Sequence, residues 1–160
     1  MGYHHELSGR YEDARAALDR AVEVCEAHGF RGLNGTFLLI ASYQLSTAAS
    51  SGRNEDARMW YERMIAMADP HRPMDAWHLD ESRVHIESLN GNYRAVAEIG
   101  EQALERTAAA GMTYIEVLTI VNWGIGRAML GDEASLKEAM TRLRHLTEKT
   151  CFSYLECAAR

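Results

Sequence analysis

The chain has 160 residues, of which 47% are hydrophobic and 25% are charged, and its formal net charge is -6 at pH 7. These proportions are typical of one globular domain or a short array of stacked units, and the length suffices to bury a core. The acidic balance argues against binding to nucleic acid, which needs clustered Lys and Arg, and no apolar run approaches the roughly 20 residues that cross a bilayer.

The first predicted element begins at a phrase that the chain later repeats. "SGRYEDAR" occupies residues 8–15, and "SGRNEDAR" follows at residues 51–58. Weaker forms begin at residues 90 and 130, so that Gly9, Gly52, Gly91 and Gly131 are separated by 43, 39 and 40 positions. Such self-similarity at a nearly constant period indicates a repeated structural unit of about forty residues.

Each of these glycines precedes an amphipathic helical pattern. Apolar or small residues stand at the fifth, ninth and twelfth places after the glycine, and steps of four and three place them on one side of a helix. The four sets are Ala14, Leu18 and Ala21; Ala57, Tyr61 and Met64; Val96, Gly100 and Ala103; and Leu136, Met140 and Leu143. We therefore predict a helix after each glycine, with its acidic first-turn residues (Glu12, Asp13, Glu55 and Asp56) at the positive end of the helix dipole.

Less polar helical patterns precede the glycines, at residues 33–50, 75–89 and 113–130. Short breaks that contain glycine or proline separate the two classes of helix at residues 28–32, 68–73 and 109–112. No stretch alternates apolar and polar residues with period two over a useful length, so no strand is predicted.

The predicted fold class is all-α: antiparallel helix pairs that stack into a right-handed solenoid, because one pair cannot bury both of its apolar faces. We predict a single repeat domain with units at 1–29, 33–69, 75–110 and 113–149 and a partial unit at 151–160. Residues 3–7 and 151–160 resemble incomplete helices. The chain is therefore expected to be a fragment of a longer protein, and its open ends are expected to favour self-association.

The motif Gly9-x-Tyr11-x-x-Ala14-x-x-x-Leu18-x-x-Ala21 resembles the second helix of tetratricopeptide repeats, and Gly91, Tyr93 and Ala103 echo it. The longer units of about forty residues are similar to those in the superhelical domain of MalT-like transcriptional regulators and related bacterial signalling ATPases. This resemblance implies a non-catalytic interaction module within a larger regulatory protein. It also implies that partners bind on the concave side of the array.

His78, Glu81 and His85 are spaced by three and four residues and so share one side of a predicted helix. The spacing could place a metal ligand set together, but the two histidines are seven apart, whereas zincins need them four apart beside a glutamate. We predict a polar partner-binding surface instead, on the concave side that the resemblance implies. Matching positions in the flanking units are Leu39, Ser42, Ser46, Leu118, Val121 and Ile125.

The predicted function is that of a protein-protein interaction scaffold, with a protein, a peptide or another domain of the same polypeptide as its partner. The alternative is an effector-sensing domain that binds a small molecule on the same concave surface. No cofactor, bound metal, nucleic acid or membrane partner is predicted, and no clustered set of titratable groups indicates an enzyme. Cys25, Cys151 and Cys157 form no C-x-x-C pair, so we expect reduced thiols and a cytoplasmic location.

Overall fold

The computed structural model describes residues 8–28, 35–69 and 71–150. Within these ranges the chain forms seven α-helices and no strand. The helices are α1 (Tyr11–Ala27), α2 (Thr36–Ser50), α3 (Asn54–Met67), α4 (Pro73–Leu89), α5 (Tyr93–Ala109), α6 (Thr113–Met129) and α7 (Glu133–Thr150). The predicted all-α class is confirmed, and within residues 11–89 and within residues 93–150 the helices pack on their neighbours in sequence order. The helices expected at residues 3–7 and 151–160 lie outside the described residues.

The helix boundaries agree with the sequence patterns to within two residues where both ends are described. α4 begins at Pro73 rather than at Asp75. Proline suits the first helical position because the amide hydrogen that it lacks would find no partner there. Among the helices described, none is both long enough and apolar enough to cross a membrane.

The repeated glycines close the helices that precede them. Gly52 has a φ of 75°, and the amide of the next residue, Arg53, donates to the carbonyl of Ala48 at 2.8 Å. The turn between α6 and α7 has the same form, because Gly131 also has a φ of 75° and the amide of Asp132 donates to the carbonyl of Arg127 at 3.0 Å. This bond, from beyond the glycine to a carbonyl five residues earlier, satisfies a helix terminus. The repeated phrase therefore encodes a repeated turn.

The chain divides into two compact units, unit 1 (Met1–Leu89) and unit 2 (Asn90–Arg160). The prediction of one domain with units at 1–29, 33–69, 75–110, 113–149 and 151–160 stays a prediction. In unit 1, α1 packs on α2, and α4 packs on both α2 and α3. The core of unit 1 is formed by Val22, Phe37, Leu38, Ala41, Leu45, Ala48, Ala57, Trp60, Met64 and Ile86.

In unit 2, α6 packs on α5 and α7, and glycines allow the close approach. A Cβ at Gly100 would lie 2.8 Å from Cα of Trp123, and a Cβ at Gly126 would lie 2.8 Å from the backbone nitrogen of Ala97. Gly100 of α5 meets Trp123 of α6, and the earlier residue Ala97 meets the later residue Gly126, so α5 and α6 are antiparallel. Leu104, Val117, Ile120, Trp123, Ala139 and Leu143 form the core of this unit.

The apolar or small residues predicted on one side of each helix are buried or half-buried, except Met140, which is 37% exposed. The neighbouring Ala139 is buried instead, and a Cβ at Gly124 would lie 3.2 Å from its Cβ. Because small residues meet at this contact, α7 presents Ala139 to α6, and Met140, about 100° further round the helix, points towards solvent.

Candidate partner-binding surface

The structure distributes the nine residues predicted for partner binding over both units. α2 carries Leu39, Ser42 and Ser46, α4 carries His78, Glu81 and His85, and α6 carries Leu118, Val121 and Ile125. The first two sets lie in unit 1 and the third lies in unit 2. The predicted residues therefore form separate sets, one in each unit.

On α2 only one of the three predicted residues is well exposed. Leu39 is 40% exposed, Ser46 is half-buried, and Ser42 is buried. The hydroxyl of Ser42 donates to the carbonyl of Leu39 at 2.9 Å, one helical turn earlier. Ser42 is thus satisfied within its own helix and offers little surface to a partner.

His78 on α4 is buried, with 3% of its surface exposed, and its ring packs against that of Trp77 at a centroid distance of 4.8 Å. Burial lowers the pKa of His78 to about 4, although the negative charge of Asp75 acts in the opposite direction. The imidazole is therefore neutral at pH 7. Glu81 and His85 are half-buried, and burial also lowers the pKa of His85.

Asp75 is a buried charged residue that the sequence analysis did not single out. Only 1% of its surface is exposed. Its Oδ2 accepts a hydrogen bond from the amide of Asp69 at 3.1 Å and lies 3.6 Å from a guanidinium nitrogen of Arg72. Neither Oδ1 of Asp75 nor Nδ1 of His78 has a hydrogen-bond partner. The available signal was the position of Asp75 in the first turn after Pro73, where carboxylates favour the helix N-terminus.

Asp75 borders a narrow cleft whose other lining residues are Gly35, Phe37, Leu38, Met67 and Arg72. The cleft has no room for a water molecule. Over the described ranges, no three or more His, Cys, Asp or Glu side chains are grouped so that they could hold a metal ion. Asp75, His78 and Ser82 are the buried polar side chains of α4.

The three residues predicted on α6 belong to a longer apolar stripe. The stripe consists of Tyr114, Leu118, Val121, Ile125 and Met129, at steps of four, three, four and four residues, which place them on one side of the helix. Tyr114 is 48% exposed, Ile125 is 50% exposed and Met129 is 56% exposed, whereas Leu118 and Val121 are half-buried. We call these five residues the α6 stripe.

The α6 stripe exists because α6 is apolar on more than one side. Ile115, Val117 and Ile120 face the interior of unit 2 and are buried. A surface helix normally needs only one such apolar side, with polar residues opposite. The second apolar side of α6 remains in contact with solvent, and contiguous exposed apolar residues are characteristic of interaction sites.

Arg127, two residues before the last residue of the α6 stripe, is fixed by contacts with three side chains. Arg127 pairs with Glu101 of α5 at 2.8 Å and approaches Asp132 at 3.7 Å. Its guanidinium also lies 5.9 Å from the ring centroid of Trp123. These contacts tie the C-terminal end of α6 to α5 and to the turn before α7.

The chain matches no protein-family model, and no curated protein or solved structure matches it at a significant level.

Proposed function

We propose that this protein is a non-catalytic interaction module that binds an apolar segment of a partner protein along the α6 stripe. The observation that carries the proposal is the α6 stripe, in which Tyr114, Ile125 and Met129 are exposed and Leu118 and Val121 are half-buried, on a helix whose opposite side is packed in the core. Burial of apolar surface is the main favourable contribution to most protein-protein association. Two well-exposed side chains at the C-terminal end of the stripe, Ile125 and Met129, would contribute most.

The finer proposal is that the module has tetratricopeptide-like architecture and belongs to a MalT-like bacterial regulatory protein. Its support is the motif that begins at Gly9, the period of about forty residues and the equivalent turns at Gly52 and Gly131. A cytoplasmic location is part of the same proposal. The effector-sensing alternative gains no support from the cleft beside Asp75, which has no room for a water molecule.

The test is selection of peptides from a displayed random library against the full chain, followed by affinity measurements on two double variants. Tyr114→Asp with Ile125→Asp places two charges in the α6 stripe. Met59→Asp with Ile65→Asp is the matched control, because these α3 residues are 46% and 54% exposed and lie in unit 1. Both variants replace exposed side chains, so both are expected to melt close to the parent temperature.

The expected result is that selected peptides are rich in apolar residues and bind the stripe variant at least tenfold more weakly than the parent. The control variant should bind them with the parent's affinity. Peptides that bind the parent and the stripe variant equally well would contradict the proposal, and so would a library that yields no binder.

A further inference from the structure

The methionines within the described ranges differ widely in exposure. Met129, the last residue of the α6 stripe, is 56% exposed, whereas Met64 in the core of unit 1 is 0% exposed. The other exposed methionines are Met59, Met74 and Met140. An oxidant reacts with a thioether only where it can reach the sulfur, so the fold separates these side chains by their expected reactivity.

The sulfur of Met64 is shielded in a second way. The hydroxyl of Ser82 in α4 donates a hydrogen bond to Sδ of Met64 at 3.3 Å. This bond engages a sulfur lone pair, and it is the lone pair that attacks an oxidant. Met64 is therefore an internal reference for a methionine that the fold protects.

Met129 stands at a position that recurs in the repeat. It is the last residue of α6 and lies two residues before the turn glycine Gly131. The equivalent last residues of α2 and α4 are Ser50 and Leu89, of which the serine is exposed and the leucine is half-buried. Of these three helices, only α6 thus ends in an exposed side chain that oxidation converts from apolar to polar.

The hydrogen-bond donors around Met129 are already engaged. The Arg127 guanidinium bonds Glu101 at 2.8 Å and projects about 160° round the helix from Met129. A sulfoxide oxygen at Met129 would therefore take its hydrogen bonds from water. The amides of the four following residues donate to backbone carbonyls, Leu130 to Gly126 at 3.3 Å, Gly131 to Ala128 at 2.9 Å, Asp132 to Arg127 at 3.0 Å and Glu133 to Gly131 at 3.1 Å.

Resting on the function proposed above, we infer that Met129 is an oxidative modification site whose conversion to the sulfoxide releases a partner from the α6 stripe. The oxidant is a hydroperoxide. The Met129 sulfur attacks the terminal peroxide oxygen, the S–O bond forms as the O–O bond breaks, and the hydroxyl proton moves to the departing oxygen. Sulfur gives up an electron pair, and the peroxide is reduced to an alcohol or, for hydrogen peroxide, to water.

The sulfoxide weakens binding because it is polar and is hydrated in the free chain. Against an apolar partner segment it would lose this water without gaining a donor, and such burial is unfavourable. The change affects the most exposed side chain of the stripe. Methionine sulfoxide reductases restore the thioether, so the modification is reversible.

The experiment treats the full chain with a limiting amount of hydrogen peroxide and locates sulfoxides by mass spectrometry of proteolytic peptides. We expect Met129 to be oxidised well before Met64. The affinity for library peptides that depend on the α6 stripe is measured before treatment, after treatment and after incubation with methionine sulfoxide reductases. Oxidation should weaken binding by roughly fivefold or more, and reduction should restore it.

Two leucine variants assign the effect to one sulfur. Met129→Leu retains all three cysteines but has no thioether in the stripe, so its affinity, whatever its value, should not change with peroxide. Met74→Leu is the matched control, because Met74 is 42% exposed on α4, outside the stripe. This control should remain as sensitive to peroxide as the parent.

An equal loss of affinity in Met129→Leu would overturn the inference, and so would oxidation of Met64 as fast as that of Met129. Failure of the proposed function looks different. In that case the peptides bind the Tyr114→Asp, Ile125→Asp variant as tightly as the parent before any peroxide is added, or the library yields no binder, and both proposals are removed. Stripe-dependent binding that is unchanged when Met129 is oxidised would leave the proposed function standing and remove only this inference.

Discussion

Gly126 of α6 packs directly on the backbone of α5, because a Cβ at this position would lie 2.8 Å from the backbone nitrogen of Ala97. Gly126→Ala should therefore force the helices apart, and we expect a loss of about 1 to 3 kcal/mol in the free energy of unfolding. Gly124→Ala is the matched control. Its Cβ would meet only the Cβ of Ala139, at 3.2 Å, and alanine favours a helix by about 1 kcal/mol over glycine.

Chemical denaturation of the two glycine variants measures this difference. Gly124→Ala should be close to the parent in stability, and Gly126→Ala should be clearly less stable. Equal stability of the two variants would show that the contact between α5 and α6 can relax without cost.

Leu18 of α1 is buried, with 5% of its surface exposed. Leu18→Asp should destabilise unit 1 by at least about 3 kcal/mol, because it removes apolar burial and introduces a carboxylate into an apolar site. Ala16→Asp, on the exposed side of the same helix, should change stability by less than about 0.5 kcal/mol. If thermal melting by circular dichroism finds Leu18→Asp as stable as the parent, the assignment of the interior side of α1 is wrong.

The backbone at Gly52 should resist substitution although space is available. No atom lies within 4 Å of a Cβ built there, but its φ of 75° is unfavourable for residues with a side chain. Gly52→Ala is therefore expected to cost about 1 to 2 kcal/mol, and Gly52→Asn should cost less because asparagine tolerates this conformation better. Urea unfolding gives both values. Alanine and asparagine variants of equal stability would contradict the conformational explanation.

His78 should make stability depend on pH in the acidic range. Its pKa in the folded protein is about 4, below the ordinary 6.5, so the unfolded chain binds the proton more readily. The free energy of unfolding should therefore stay constant above about pH 6.5 and fall towards pH 4, by a total on the order of 3 kcal/mol. His85, whose pKa is also lowered, adds to the loss in the same direction.

To test the role of His78, the free energy of unfolding is measured for the parent and for His78→Gln at pH 7.5 and at pH 4.5. Glutamine does not titrate, so the variant should lose less stability between the two pH values, whatever its stability at pH 7.5. An equal loss in the two proteins would show that His78 is not the group responsible.

The local structure of this protein could be predicted from short stretches of sequence. Glycine and the residues around it determine the turn at Gly52, since only the local backbone is involved, and the spacing of Leu18 and its neighbours determines which side of α1 is buried. The predicted start of α4 at Asp75 was two residues late, because the helix begins at Pro73.

The candidate site was less predictable, because exposure depends on which helix covers a residue. His78 and Leu118 occupy equivalent repeat positions, yet His78 is buried in unit 1 whereas Leu118 remains half-buried. Met140 follows the interior spacing but is displaced by Ala139, whose small side chain fits against Gly124. The sequence by itself determined the helices and their turns, which arise from interactions between near neighbours. Only tertiary packing decided which apolar side of α6 is buried and which forms the stripe, because that choice depends on contacts with α5 and α7.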